Sequence, residues 1–145
     1  MMIDSKTIDI HVNGESKFDI PFQVSPYIKK VLEKVAIKRG FFEFSFIDKK
    51  EIVDINQKYL DRTYETDIIS FNLGTLDNII GDVYIAIPVV KKNALEFNQS
   101  FEQELKRLLV HGILHLLDYR DYTDEEKEEM HSEQERLLKS IDDND

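Results

Sequence analysis

Ser100-Phe-Glu-Gln-Glu-Leu-Lys-Arg-Leu-Leu-Val-His111-Gly-Ile-Leu-His115-Leu-Leu117 is the stretch on which the reading of this chain turns. Phe101, Leu105, Leu108, Leu109, Leu116 and Leu117 recur at helical spacing, while Glu102, Lys106 and Arg107 fall on the outer side. Ser100 and Gln103 form a capping box at its start. His111 and His115 lie in the apolar half, four residues apart and so on one face, about 6 Å apart along the axis. A buried imidazole needs partners for its ring nitrogens, and one cation would satisfy two rings at once. Gly112 costs about 1 kcal/mol relative to Ala inside a helix, so close approach of another element to the backbone is expected there. Asp121, six residues past His115, offers a carboxylate once the helix has ended. Two histidines and a carboxylate with open coordination positions make a catalytic-metal set. The alternative at this point is a pair of histidines that merely share a helical face.

Working outward, residues 7–12 alternate as a first strand. A helix is expected from Pro26 to Gly40, with Ser25 as its cap. Phe41 to Ile47 is an aromatic, alternating second strand. Asp48 caps a helix through Ile52, Ile55 and Tyr59. Ile68, Ile69 and Phe71 mark a third strand and Val83 to Ala86 a fourth, with turn residues from Asn72 to Gly81. Pro88 opens a short helix ending near Phe97. Thr123 and Glu126 cap a last helix whose inner face is Met130, Leu137, Leu138 and Ile141. The expectation is a single small α+β domain over residues 1–141, with an acidic tail at 142–145. Its four-stranded sheet is packed by about five helices, and the metal site lies at the C-terminal end of the histidine helix.

The 145 residues, 41% of them hydrophobic, suffice for one self-sufficient core. There are no cysteines, which removes disulfides and thiolate metal sites. No apolar run reaches the roughly 20 residues of a membrane span, and the N-terminus lacks a signal-peptide pattern, so a cytoplasmic protein is expected. The net charge of −10 argues against a nucleic-acid partner only weakly, because it is unevenly spread. Residues 121–145 carry 11 acidic and 3 basic side chains, leaving the rest almost neutral. Lys29, Lys30, Lys34, Lys38 and Arg39 form a local basic cluster, most simply a solvated face.

Three ordered blocks go further. His111-Gly-Ile-Leu-His115-Leu-Leu-Asp118-Tyr-Arg120-Asp121 resembles the motif H-G-x-L-H-L-x-G-Y-D-H. Asn56 and Tyr59, followed by Thr66-Asp67-Ile-Ile-Ser70-Phe71, resemble N-x-x-Y-R and T-D-V-L-S-F. Gly81-Asp82-Val83 resembles a G-D-I strand start, with Asn93-Ala94 following at suitable spacing. These blocks resemble the YbeY family of bacterial metal-dependent endoribonucleases, over about residues 50 to 138. The resemblance implies cleavage of single-stranded RNA in 16S rRNA 3′-end maturation and ribosome quality control. It further implies small-subunit components as partners. One zinc ion would be held by His111, His115 and Asp121, with Asp67, Ser70 and Asp82 as candidates to line the cleft. For those three the simpler alternative is turn and strand-end hydrogen bonding.

The departures from the pattern carry chemistry. Asp121 stands where the family has a third histidine, so a divalent ion would keep a formal charge of +1 and not +2. A divalent transition metal other than zinc is compatible with that carboxylate. Leu60 stands where many relatives have arginine, with Arg62 as a substitute nearby; Asp118 replaces glycine and Arg120 replaces aspartate. Two other functions compete. A zinc peptidase or amidase would need a glutamate after the first histidine, where this chain has Gly112. A ribosome-assembly factor with a structural metal would need a fourth ligand, for which His131 is the available histidine. His11 reads as an ordinary strand side chain.

Overall fold

The computed structural model describes residues 7–60 and 66–143. Ten elements follow one another: β1 (Ile8–Asn13), α1 (Glu15–Phe18), α2 (Val24–Lys34), β2 (Gly40–Ile47), α3 (Lys49–Leu60), β3 (Ile68–Asn72), β4 (Ile79–Ala86), α4 (Ile87–Glu96), α5 (Phe101–Leu116) and α6 (Asp124–Asp143). The sheet order is β1-β2-β4-β3. β1, β2 and β4 run parallel, and β3 returns antiparallel to β4 with Ile68 opposite Ile85 and Asn72 opposite Gly81. This is the single α+β domain with four strands that the sequence implies; among the described residues the helices number six, because the one-turn α1 was not foreseen.

Strand alternation divides the apolar side chains between two layers. Phe42, Phe44, Val83 and Ile85 face α2, α5 and α6 and join Leu105, Leu109, Ile113 and Leu114 in the main core. On the opposite face α3 and α4 close a smaller cluster of Ile47, Ile52, Ile69, Ala86 and Val89. The expected inner face of α6 is buried through Met130, Leu137 and Ile141.

Three of the four expected caps are made with reciprocal bonds; the fourth, Ser25, is not. Glu51 N–H donates to Asp48 Oδ1 at 2.8 Å, Gln103 N–H to Ser100 Oγ at 3.0 Å and Glu126 N–H to Thr123 Oγ1 at 3.1 Å. The C-terminus of α2 differs from the expectation, whereas α4 ends near Phe97 as expected. α2 stops at Lys34, six residues short of Gly40, because Ala36 takes a left-handed φ of 60°. Ala36 N–H then donates to Glu33 O, and Ile37 N–H to Leu32 O, which satisfies carbonyls that the helix leaves open. Its start also shifts: Gln23 is the cap, and Pro26 sits at the third helical position, where an amide is not needed either. Gly40 instead opens β2, where a side chain would meet the Phe42 ring at 2.8 Å. β4 begins four residues earlier than expected, since Ile79 to Asp82 pair with β2 although they follow a turn-rich stretch.

Candidate metal centre

The site is built where α5 crosses β3. Gly112 permits the contact: a Cβ there would lie 2.8 Å from Ile68 Cδ1. This is the close approach that a glycine inside the helix implied. Ser70 Oγ donates to Gly112 O at 3.0 Å, and Asn72 Nδ2 donates to Leu116 O at 3.3 Å, so β3 fixes both the position and the rotation of α5. Asn72 also accepts from the Gly74 and Ile80 amides, tying the β3–β4 turn to the end of the helix.

α5 ends by the same device as α2. Asp118 adopts φ 71°, its N–H donates to His115 O, and Tyr119 N–H donates to Leu114 O. Asp is among the residues that tolerate the left-handed region best after glycine. The turn swings the Tyr119 carbonyl back over the helix end, where it lies 3.0 Å from His115 Nδ1. His111 Nδ1 meets Gln134 Oε1 of α6, also at 3.0 Å. A carbonyl oxygen only accepts, so each ring carries its proton on Nδ1 and presents a lone pair from Nε2.

Those two Nε2 atoms face each other at 3.0 Å. Opposed lone pairs repel unless a proton or a cation lies between them. A tetrahedral ion with bonds of about 2.0–2.1 Å to nitrogen would set them about 3.3 Å apart. Asp121 Oδ2 stands 3.7 Å from His115 Nε2. One ligand atom from each of His111, His115 and Asp121 lies within 4.8 Å of the others, so the three can hold a metal ion. The N,N,O donor chemistry therefore fits a divalent cation of the zinc type. Burial, and then the neighbouring His115, pushes the His111 pKa below its ordinary value, which favours the neutral, ligating ring.

A cleft of about 630 Å³ opens beside these groups. Asp67 and Ser70 line it with both histidines, Asp121 and Leu60. Burial raises the Asp67 pKa against several lowering influences, among them His111 and a 3.4 Å hydrogen bond from Asn93 Nδ2. Asp82 is not brought to the cleft. Its neighbours Gly81 and Val83 point at α5, so alternation sends Asp82 to the other sheet face, where it accepts from Tyr84 Oη at 2.8 Å. His131 is exposed on α6 and apart from the ligand group. His11 packs on Phe41 with ring centroids 5.0 Å apart. Arg62 lies outside the described residues. Gln134 and the Tyr119 carbonyl were not anticipated. The signal for Gln134 is a lone uncharged polar residue on the apolar stripe of α6, 6% exposed among Met130, Leu137 and Ile141.

Fold and donor set together define a class: α+β proteins with a donor set able to hold a divalent cation at the end of a helix laid across a four-stranded sheet. The sequence model described as Endoribonuclease YbeY matches residues 10–142, and the chain belongs to the YbeY family. It is 36% identical over 132 residues to the Endoribonuclease YbeY of Flavobacterium psychrophilum, covering 90% of this chain and 94% of that relative. The Endoribonuclease YbeY of Christiangramia forsetii is 42% identical over 113 residues, covering 77% and 78%. The solution structure of TM1509 from Thermotoga maritima superposes with a TM-score of 0.63 at 29% identity, covering 91% of this chain and 88% of that one.

Proposed function

We propose that this chain is a metal-dependent endoribonuclease that cuts single-stranded RNA. It carries one zinc ion on His111, His115 and Asp121 and works in the cytoplasm in 16S rRNA 3′-end maturation, alongside small-subunit components. The observation that carries the reading is the convergence of two Nε2 lone pairs and a carboxylate beside an open cleft. The names of the relatives supply the substrate class.

When bound, the divalent ion supplies positive charge that polarises a phosphoryl oxygen and lowers the pKa of water. The protein's part is to orient and to move protons. Gln134 and the Tyr119 carbonyl hold the two imidazoles in the tautomer that leaves Nε2 free. Asp67, kept more basic than an ordinary carboxylate by burial, is suited to take a proton in the cleft and return it. Ser70 uses its hydroxyl to anchor Gly112, and so acts through α5 and not on substrate.

The peptidase reading loses ground on geometry. A glutamate at position 112 would have to lie between α5 and β3, where a Cβ alone already meets Ile68. The structural-metal reading lacks a fourth ligand among the described residues. Incubating the purified zinc-loaded protein with labelled single-stranded RNA at low salt, and in parallel with a peptide panel, separates the three. RNA cleavage abolished by chelator and restored by zinc is expected. Cut peptides with intact RNA would replace this reading with the amidase; a tightly held metal with both substrates intact would replace it with the structural role.

A further inference from the structure

We propose that Arg120 and Tyr122 form a nucleotide subsite beside the metal centre, Arg120 holding a substrate phosphate and Tyr122 stacking on an unpaired base. The inference rests on the ribonuclease reading above and names what grips the RNA.

Charge is the first argument. Among the described residues, the cleft is lined by the carboxylates of Asp67, Asp118 and Asp121 and by a single cation, Arg120. Among the described lining residues, a polyanion entering there is repelled by those three carboxylates and attracted by that guanidinium, with a bound ion adding to the attraction. Leu60 and Phe71, also in the lining, carry no charge.

Availability is the second. The Arg120 side chain is 57% exposed, and its contact with Asp118 is 3.7 Å long between two exposed groups. Such a pair contributes little and gives way to a better partner. A phosphate is that partner, because the planar guanidinium can meet two of its oxygens at once. Tyr122 is 80% exposed at the cleft, the state expected of a ring that serves as a stacking platform and not as core.

Adjacency is the third. Arg120 and Tyr122 flank Asp121 in the chain, and consecutive Cα atoms are about 3.8 Å apart. Ion, phosphate holder and base platform therefore fall within reach of one nucleotide. A base splayed onto Tyr122 has left its helix, so the subsite selects single strands over duplex.

The test uses the zinc-loaded full chain and a labelled 2′-O-methyl single-stranded oligoribonucleotide as the binding probe, titrated over a range of salt. Arg120→Gln should weaken binding several-fold and lower the slope of log affinity against log salt by about 0.7, one phosphate contact on a single strand. Arg120→Lys should restore the slope. Tyr122→Ala should weaken binding about tenfold with the slope unchanged, and Tyr122→Phe should restore affinity. Lys29→Gln, outside the cleft, should leave both quantities as in wild type. Zinc content should match wild type in every variant. An unchanged slope in Arg120→Gln, or loss of its zinc, overturns the subsite, as does equal binding of a duplex. Unmodified RNA left uncut by the wild type overturns the ribonuclease reading itself.

Discussion

The two halves of the candidate site, α5 and the loop at residues 117–123, are held under opposite conditions. α5 is sheathed: Leu105, Leu109, Val110, Ile113 and Leu114 are fully buried, and β3 bonds to two of its carbonyls. The loop is open to water, with Asp118 and Arg120 more than half exposed and Tyr122 four-fifths exposed. On the helix a residue is constrained by packing as well as by chemistry, since close-packed interiors respond to a single methylene. In the loop packing holds Leu117 and Tyr119 and the left-handed turn constrains Asp118, while the exposed side chains answer to chemistry alone. Every departure from the family's histidine motif falls in the loop, at Asp118, Arg120 and Asp121, and none falls on the helix. The part of the site that varies is the part whose change disturbs no core.

That contrast can be broken by substitutions on either side. The largest effect is expected in the helix: Ile113→Ala should lower stability by about 2–5 kcal/mol, read by urea denaturation, because it opens a cavity in the main core against which α5 packs. Arg120→Gln should fall within about 0.5 kcal/mol of wild type in the same assay. Equal losses for the two would erase the distinction. Next comes the link between α6 and the site. Gln134→Leu should keep the fold but bind zinc about 10–100-fold more weakly in a chelator competition, since His111 loses the acceptor that fixes its tautomer. Gln134→Glu, which still accepts from Nδ1–H, should restore binding.

The smallest effect concerns the buried carboxyl of Glu104, on α5 upstream of the histidines. Burial raises its pKa against the pull of Arg107. A carboxyl whose folded pKa exceeds its unfolded value contributes stability below the unfolded pKa and loses it as pH rises through the folded one. Glu104→Gln should therefore be the more stable protein at neutral pH, with the difference closing as the pH falls through the raised folded pKa and gone below the ordinary glutamate value. Thermal melts across pH read this directly, and a gap independent of pH would contradict the assignment.

The same contrast explains what the sequence could disclose. Periodic burial and side-chain caps leave local marks, so the strands, the caps at Asp48, Ser100 and Thr123, and the histidine pair were legible. The C-terminal boundary of α2 was not. The chain closes four helices on left-handed Asp19, Ala36, Asn98 and Asp118, none of them glycine, so the residue type that ordinarily marks such a stop pointed to Gly40 instead. Asp82 was grouped with the site because it lies in a resembling block, but strand alternation is a matter of parity, and the contact of Gly81 with Leu116 fixes that parity only in three dimensions. Gln134 is 23 residues from the histidine it orients. Nothing local connects them, and only the packing of α6 on α5 does.

The central claim is that a loop carboxylate completes a site whose other two ligands the helix supplies. Zinc affinity of wild type, Asp121→Ala and Asp121→His, measured by chelator competition with folding followed by circular dichroism, tests it most directly. Asp121→Ala should remain folded and lose at least about tenfold in affinity, and Asp121→His should retain the ion, because imidazole is an equally good zinc ligand. A folded Asp121→Ala that holds zinc as tightly as wild type would remove Asp121 from the site and contradict the account.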